Sequence, residues 1–382
     1  MKVTFVSNYI NHHQIPVSNE LFARLGEEYT FVQTEPMEEE RVQMGWNPDT
    51  AGLPYLRLFE VDPEGTMQLI MDSDIVIFGG TDDERYIQPR LQAGKPVIRY
   101  SERLYKTGQW KFISPRGLKK KYMDHTRYRK ERVYLLCSGA YVASDFNLVR
   151  AYPNKKLKWG YFPAFVPCDV DVLMAQKNCE NANGTIELLW AARFIDWKHP
   201  EMVVELAHRL KMAGYRFHIT MIGGGVMAGE VEGLIQKLDV EDSVTLAGYK
   251  TPEEVREYMK NADIYLATSD RQEGWGAVVN EAMNSGCSVV GDAMIGAVPY
   301  LIKNGEDGLV YKTRDIDALT NAVSELLDNP AEIQRMGRNA YQKIAEVWNA
   351  GEAAKRLCEF AADVLADHVD MDKWSEGPLS RA

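Results

Sequence analysis

Cysteine is scarce in this chain and shows no pairing pattern: five in 382 residues, at Cys137, Cys168, Cys179, Cys287 and Cys358, with no C-x-x-C. An odd count without close spacing argues against a disulfide framework or a zinc site and for a reducing, cytoplasmic setting. Long apolar runs are missing too, since no window approaches about twenty residues, so no segment is expected to span a bilayer. The opening apolar run stops at Ser7-Asn8 and is too short for a secretory signal. Absent as well are internal repeats, low-complexity tracts and a G-x-G-x-x-G fingerprint, which excludes solenoids and the simplest dinucleotide site. What remains is a globular composition, 45% hydrophobic and 26% charged with a net charge of −11. The length suits two domains of roughly 100–200 residues.

Apolar runs of strand length alternate with helical patterns, which predicts α/β architecture with parallel sheets and helices on both faces. In the first half strands are expected at 3–7, 29–33, 75–79, 96–100 and 140–143, and helices at 16–25, 66–71 and 86–92. The stretch Phe162-Pro-Ala-Phe-Val-Pro-Cys-Asp169 breaks the alternation and reads as a linker within 161–169. Strands resume at 186–190, 217–222, 244–246, 263–268 and 288–291. Helices are expected to begin near Pro200, Pro252, Gly276 and Asp315, with more helix after Pro330.

Two motifs carry the chemistry. In Ser269-Asp-Arg-Gln-Glu273-Gly-Trp-Gly-Ala-Val-Val-Asn-Glu281, a strand runs into a turn at Gly274 and Gly276, then into a helix from Ala277. Glu273 falls in the loop and Glu281 is placed two turns into the helix. The free N–H groups of Gly276, Ala277 and the first turn, at the positive end of the helix dipole, suit a phosphate. The carboxylates flanking such a site are then acceptors for hydroxyls, one for a sugar and one for a ribose. In the second motif, Leu188-Leu-Trp-Ala-Ala-Arg193-Phe-Ile-Asp-Trp-Lys198-His-Pro200, two cations follow the end of a strand. Arg193 and Lys198 there would neutralise a diphosphate, whose charge grows as a glycosidic bond breaks.

Together with Gly286-Cys-Ser-Val-Val-Gly-Asp292 and Gly296-Ala-Val-Pro-Tyr-Leu-Ile-Lys-Asn-Gly305-Glu-Asp-Gly308, these motifs resemble the retaining glycosyltransferases of family 4. The resemblance covers most of the C-terminal half. It implies the GT-B fold, two doubly wound Rossmann-like domains facing a central cleft: 1–165 for the acceptor, 166–350 for the nucleotide sugar, and 351–382 as a last helix crossing back, plus tail. It implies transfer from a nucleotide diphosphate sugar to a glycan or lipid-linked acceptor, as in surface polysaccharide synthesis, with no cofactor and no metal. Arg193, Lys198 and the helix N-terminus would take the place of a cation, and the leaving oxygen would help remove the acceptor proton. Two other classes share some of these features: a sugar-nucleotide epimerase of related fold, and a non-catalytic nucleotide-binding scaffold.

Several residues admit two roles. His12 and His13, in a loop where many family members carry glycines, either meet a phosphate or the acceptor or cap the helix at Pro16. Glu102, after the fourth strand, either acts near the reacting carbon or pairs with Arg99 or Arg103. Gly223 and Gly224, in Gly223-Gly-Gly225, either admit a nucleoside or form a plain strand-to-helix turn. Gly248-Tyr249-Lys250, after the next strand, is a candidate to flank the base, mainly by backbone. Trp275 packs the wall or touches the sugar. Finally, residues 103–132 hold eleven Lys and Arg against two acids, net +9 in a chain of −11, interleaved with aromatics. That pattern fits either a solvated face or docking on an anionic membrane surface. With the rest of the chain acidic and no recognisable module, nucleic acid is not expected as a partner.

Overall fold

The computed structural model describes residues 1–39, 48, 50–180 and 184–382, without the side chains of 178–180. The chain divides into two compact units, Met1–Ala164 with Trp348–Ala382, and Phe165–Val347.

The first unit opens with β1 (Val3–Ser7), α1 (Ile15–Leu25), β2 (Tyr29–Gln33), β3 (Leu56–Leu58), α2 (Pro63–Asp72), β4 (Ile75–Gly79), α3 (Gln88–Gln92), β5 (Val97–Ser101), α4 (Pro115–Asp124), β6 (Val133–Ser138), α5 (Val142–Leu148) and β7 (Lys156–Trp159). Its sheet has the order β3-β2-β1-β4-β5-β6-β7, every pair parallel. Strands β1, β4 and β6 are buried at every residue. Helices cover both faces of such a sheet, so its strands are apolar throughout and not alternating.

The second unit holds α6 (Val170–Glu180), β8 (Ile186–Ala191), α7 (Pro200–Met212), β9 (Phe217–Ile222), α8 (Ala228–Lys237), β10 (Val244–Gly248), α9 (Pro252–Asn261), β11 (Ile264–Ala267), α10 (Ala277–Asn284), β12 (Ser288–Asp292), α11 (Val298–Leu301), β13 (Gly308–Tyr311), α12 (Ile316–Asp328) and α13 (Pro330–Glu346). The sheet order is β10-β9-β8-β11-β12-β13, again all parallel. From β8 the chain winds outward to β9 and β10, then returns to add β11 on the other side. At such a reversal the loops leaving the two central strands diverge, and the gap at their carboxyl ends is where open α/β sheets bind ligands. In this unit those are the loops after β8 and β11, which hold Arg193, Lys198 and Glu273.

The last helix, α14 (Ala350–Leu365), belongs to the first unit. Asn349 caps it by accepting from Glu352 N at 2.9 Å, and its buried stripe includes Ala353, Leu357, Phe360, Ala361 and Val364. Phe360 meets Tyr134 of β6 edge-on at 5.1 Å. The final residues pair antiparallel with β7, through Lys158 N to Ser380 O (2.7 Å) and Leu379 N to Lys158 O (2.9 Å), covering that sheet edge.

Some expected elements are corrected. Residues 140–143 are not a strand: the strand is β6, whose six residues are all buried, and Gly139, with φ of +115°, turns the chain into α5. Residues 86–92 are not one helix, since a 3-10 turn at Glu84–Tyr86 precedes the short α3. Strands β3, β7 and β13 and helices α4, α5, α6, α8 and α11 add to those expected. Cys137, Cys168, Cys287 and Cys358 are free thiols, while the side chain of Cys179 lies outside the described residues. No described helix is long and apolar enough to cross a membrane.

Candidate functional site

In the second unit, three hydrogen bonds stitch β8 and the loop after it to the loop after β11. Trp190 Nε1 donates to Thr268 Oγ1 (2.8 Å), Thr268 Oγ1 donates to Lys198 O (2.6 Å), and Asp270 N donates to Trp197 O (3.0 Å). Glu273 N in turn donates to Asp270 O at 3.0 Å. This frame brings the Lys198 ammonium against the Glu273 carboxylate, both largely buried. Lys198 Nζ also lies 4.6 Å from the Trp197 ring centre, and the exposed Arg193 guanidinium lies 6.0 Å from the same ring. The two cations thus share one aromatic platform. A narrow recess beside Lys198 is lined by Glu273, Gly276, Thr268, Ala192 and Ile295 among others.

Gly276 precedes α10 with φ 94° and ψ 64°, and a Cβ there would lie 2.9 Å from Ile295 and 3.3 Å from Glu273. Only glycine takes this turn without strain, so the turn sets Glu273 beside the helix N-terminus. No side chain caps α10; Val279 N donates to Gly276 O at 3.0 Å, and the N–H groups of Ala277 and Val278 before it have no intrahelical partner. Glu281 is the fifth residue of the helix, one turn in and not the expected two. Burial pushes its carboxyl up to about 7, with Arg256 drawing it part of the way back. Trp275 beside Gly274 is 1% exposed and donates from Nε1 to Asn280 Oδ1 at 2.8 Å, so of its two roles the structure has the packing one.

The glycines after β9 show what they admit. A Cβ on Gly223 would sit 2.0 Å from Ala192 O, and one on Gly225 would sit 2.6 Å from Phe194 O. They let the loop bearing Arg193 pack against this turn, and Phe194 N donates to Gly224 O at 2.8 Å. A Cβ on Gly224 would strike the ring of Tyr249 at 2.7 Å, and Tyr249 is otherwise 74% exposed.

In the first unit a second group gathers at the carboxyl ends of β1 and β5. His12 and His13 lie 3.8 Å apart by ring centres, and His13 stacks on Tyr161 at 5.5 Å and 4°. The Tyr161 hydroxyl donates to Glu102 Oε1, and Lys106 Nζ donates to Glu102 Oε2. Burial lowers the pKa of His12; that of His13 falls well below the ordinary value through burial and the neighbouring His12. Neither ring caps α1, whose N-terminus has no side-chain cap. Nor does Glu102 pair with the two arginines considered for it. Arg99 makes two 2.7 Å bonds to Glu84, and Arg103 meets Asp145 at 3.3 Å. Sequence reasoning missed Tyr161 and Lys106, and also Thr268 and Asp270, whose work is to join segments distant in the chain. Among the described residues no cluster of three or more His, Cys, Asp or Glu has metal-holding geometry.

The basic segment is less uniform than its charge. Arg103 is buried on Asp145, Lys106 is taken by Glu102 and Lys120 by Asp124. Helix α4 is turned inside out: Gly117, Lys121 and Asp124 lie on its inner side, and Arg99 donates to Asp124 O at 2.8 Å. Leu118, Tyr122 and Met123 are exposed beside Arg116, Lys119 and Lys120. Just before them Trp110 is 68% and Ile113 66% exposed.

Residues 175–343 match the family model of the glycosyl transferases group 1. Over 179 residues the chain is 30% identical to the amylovoran biosynthesis glycosyltransferase AmsK of Erwinia amylovora, covering 46% of this chain and 44% of that one. It is 26% identical over 179 residues to the putative colanic acid biosynthesis glycosyltransferase WcaL of Salmonella typhimurium, covering 45% and 44%. These matches span a little under half the length of the relatives. Among solved structures, Anabaena Alr3699/HepE in complex with UDP is similar with a TM-score of 0.69 at 12% identity, over 95% of this chain and 100% of that one. At that identity the likeness concerns fold, and the fold is GT-B.

Proposed function

We propose that the chain is a retaining glycosyltransferase of family 4, moving a sugar from a nucleotide diphosphate sugar to a glycan or lipid-linked acceptor of a surface polysaccharide. The observation that carries this is the joining of Lys198, Arg193, Glu273 and the bare N-terminus of α10 at the reversal of the second sheet. The matched glycosyltransferases of amylovoran and colanic acid biosynthesis support the same reading.

In this mechanism the diphosphate lies on the first-turn N–H groups of α10, between Arg193 and Lys198. Lys198, held by Glu273, exchanges that carboxylate for a phosphate oxygen, and Glu273 turns its freed oxygens to sugar hydroxyls. As the bond from the anomeric carbon to the phosphate oxygen breaks, its electron pair goes to the leaving oxygen, where the two cations stabilise the charge. The leaving oxygen then takes the proton of the acceptor hydroxyl, which attacks from the same face. Glu281 receives the ribose hydroxyls and Tyr249 flanks the base. Glu102, oriented by Tyr161 and Lys106, with neutral His12 and His13 beside it, handles the acceptor. No metal takes part.

The outward face of α4 with Trp110 and Ile113 docks the first unit on anionic membrane, where a lipid-linked acceptor resides. Aromatic and aliphatic side chains enter the interface while Lys111, Arg116 and Lys119 meet lipid phosphates. Thermal shift against UDP, GDP and ADP, each with its common sugars, tests the donor reading. One nucleotide series is expected to raise the melting temperature of the parent protein, and less so that of Arg193→Ala. No shift with any series would contradict it.

A further inference from the structure

His199 follows Lys198 and stands at the N-terminus of α7. Its backbone is left-handed, φ 51° and ψ 54°, where glycine is at ease and histidine is strained. Such strain persists only where the surroundings hold the residue, and here they hold the ring. The side chain is 3% exposed, with Nδ1 2.9 Å from Glu201 Oε1 and Nε2 3.6 Å from Asp270 Oδ2. Nε2 is buried and makes no hydrogen bond at that distance. Two other charged groups bear on it, Asp292 at the end of β12 and Arg314 after β13. Glu201 belongs to the helix that the Lys198 turn leads into. Asp270 belongs to the loop of Glu273, accepting from Glu273 N and donating its own N–H to Trp197 O.

We propose that His199 is a positioning residue: its imidazolium, clamped between Glu201 and Asp270, keeps the Lys198 turn in register with the Glu273 loop. This rests on the donor reading of Lys198 and Glu273. Charge favours the clamp, since a neutral ring can donate to only one carboxylate while an imidazolium attracts both. Burial alone would lower the pKa of His199, but Glu201 and Asp270 outweigh it and the net direction is up, with Arg314 opposing. A histidine raised in the folded state contributes fully below its unfolded value, near 6.5, and the contribution is lost as pH rises through the folded value. Donor turnover should therefore fall on the alkaline side as His199 loses its proton.

The test has two arms. Carbon-detected NMR of the His199 ring in the free protein follows its titration in the parent, Asp270→Asn and Glu201→Gln. His199 is expected to titrate above 6.5 in the parent and lower in both variants. Titration at or below 6.5 in the parent, or no change in Asp270→Asn, would overturn the clamp. The second arm measures turnover against pH for His199→Gly, which relieves the left-handed backbone as it removes the ring and whose fold is checked by circular dichroism, and for His199→Gln, which keeps one hydrogen bond without charge. Both should lose turnover by about ten- to a hundredfold, the scale of misplacing a reacting group by about 1 Å, and should lose the alkaline limb. Parent-like turnover and pH profile in His199→Gly would overturn the proposal. A parent that uses no nucleotide sugar overturns the donor reading instead, while the NMR arm still decides the clamp.

Discussion

Replacing Glu281 by glutamine is expected to make the free protein more stable above neutral pH while weakening its hold on a nucleoside diphosphate. The carboxyl is raised from 4.5 to about 7 because burial disfavours its charged form. An acid raised on folding penalises the folded state as it ionises. The penalty is absent below about 4.5, grows through the window up to about 7, and is complete above it. At about 1.4 kcal/mol per pH unit the ceiling is ~3 kcal/mol. Water reaches part of this side chain, so about 1–2 kcal/mol is the working figure. For a unit of this size that corresponds to ~2–8 °C in melting temperature. Glutamine carries no charge at any pH, so melting curves of parent and variant from pH 5 to 8.5 should nearly coincide at the acid end and separate toward the alkaline end, with the variant higher. Calorimetry at pH 8 should show the variant binding the nucleoside diphosphate more weakly if the Glu281 carboxylate accepts from the ribose as proposed. A melting difference that does not change with pH would refute the burial argument. Equal affinity would remove Glu281 from the ribose.

Lys198→Ala and Arg193→Ala should each lower turnover by at least about a hundredfold, the scale of losing one stabiliser of developing charge, read from purified variants with parent-like circular dichroism. Glu273→Gln should lower turnover with little change in nucleoside diphosphate affinity, a division that steady-state kinetics with calorimetry can read. Cosedimentation with anionic vesicles should fall for Trp110→Ser with Ile113→Ser, and for Arg116, Lys119 and Lys120 changed together to glutamine. In the second case the residual binding should be less sensitive to salt, because exposed charges are screened beyond about 8 Å at physiological ionic strength. Lys121 is a poor choice for that experiment, since it lies on the inner side of α4 where burial lowers its pKa.

The sheets were legible because buried parallel strands are continuous apolar runs, as at Val3–Ser7 and Ile75–Gly79. Val133–Ser138 is hard to read because it abuts the cationic segment, and Lys156–Trp159 because its edge position tolerates two lysines. Helix α4 has no inward apolar stripe, so the 3.6-residue period had nothing to detect. In the site, the glycine turn at Gly276 and the cations after β8 could be recognised from local pattern. Partners could not: Glu102 takes Tyr161, 59 residues away, in place of its neighbours Arg99 and Arg103, and Asp270 meets Trp197 and His199 only through the sheet order. The glycines at 223–225 read from sequence as admitting a nucleoside or as a plain turn, and in the structure it is protein backbone that lies against them. Which backbone approaches them, that of 192–194, depends on tertiary packing.

If Lys198 and its surroundings activate a nucleotide diphosphate sugar, phosphorus NMR will show the donor being consumed. UDP-, GDP- and ADP-sugars are incubated singly with the parent and with Lys198→Ala, and the free nucleoside diphosphate is followed in time. Slow release from the sugars of one nucleotide is expected from the parent, and at least about a hundredfold less from the variant. No release from any donor, or equal release by parent and variant, would contradict that activation.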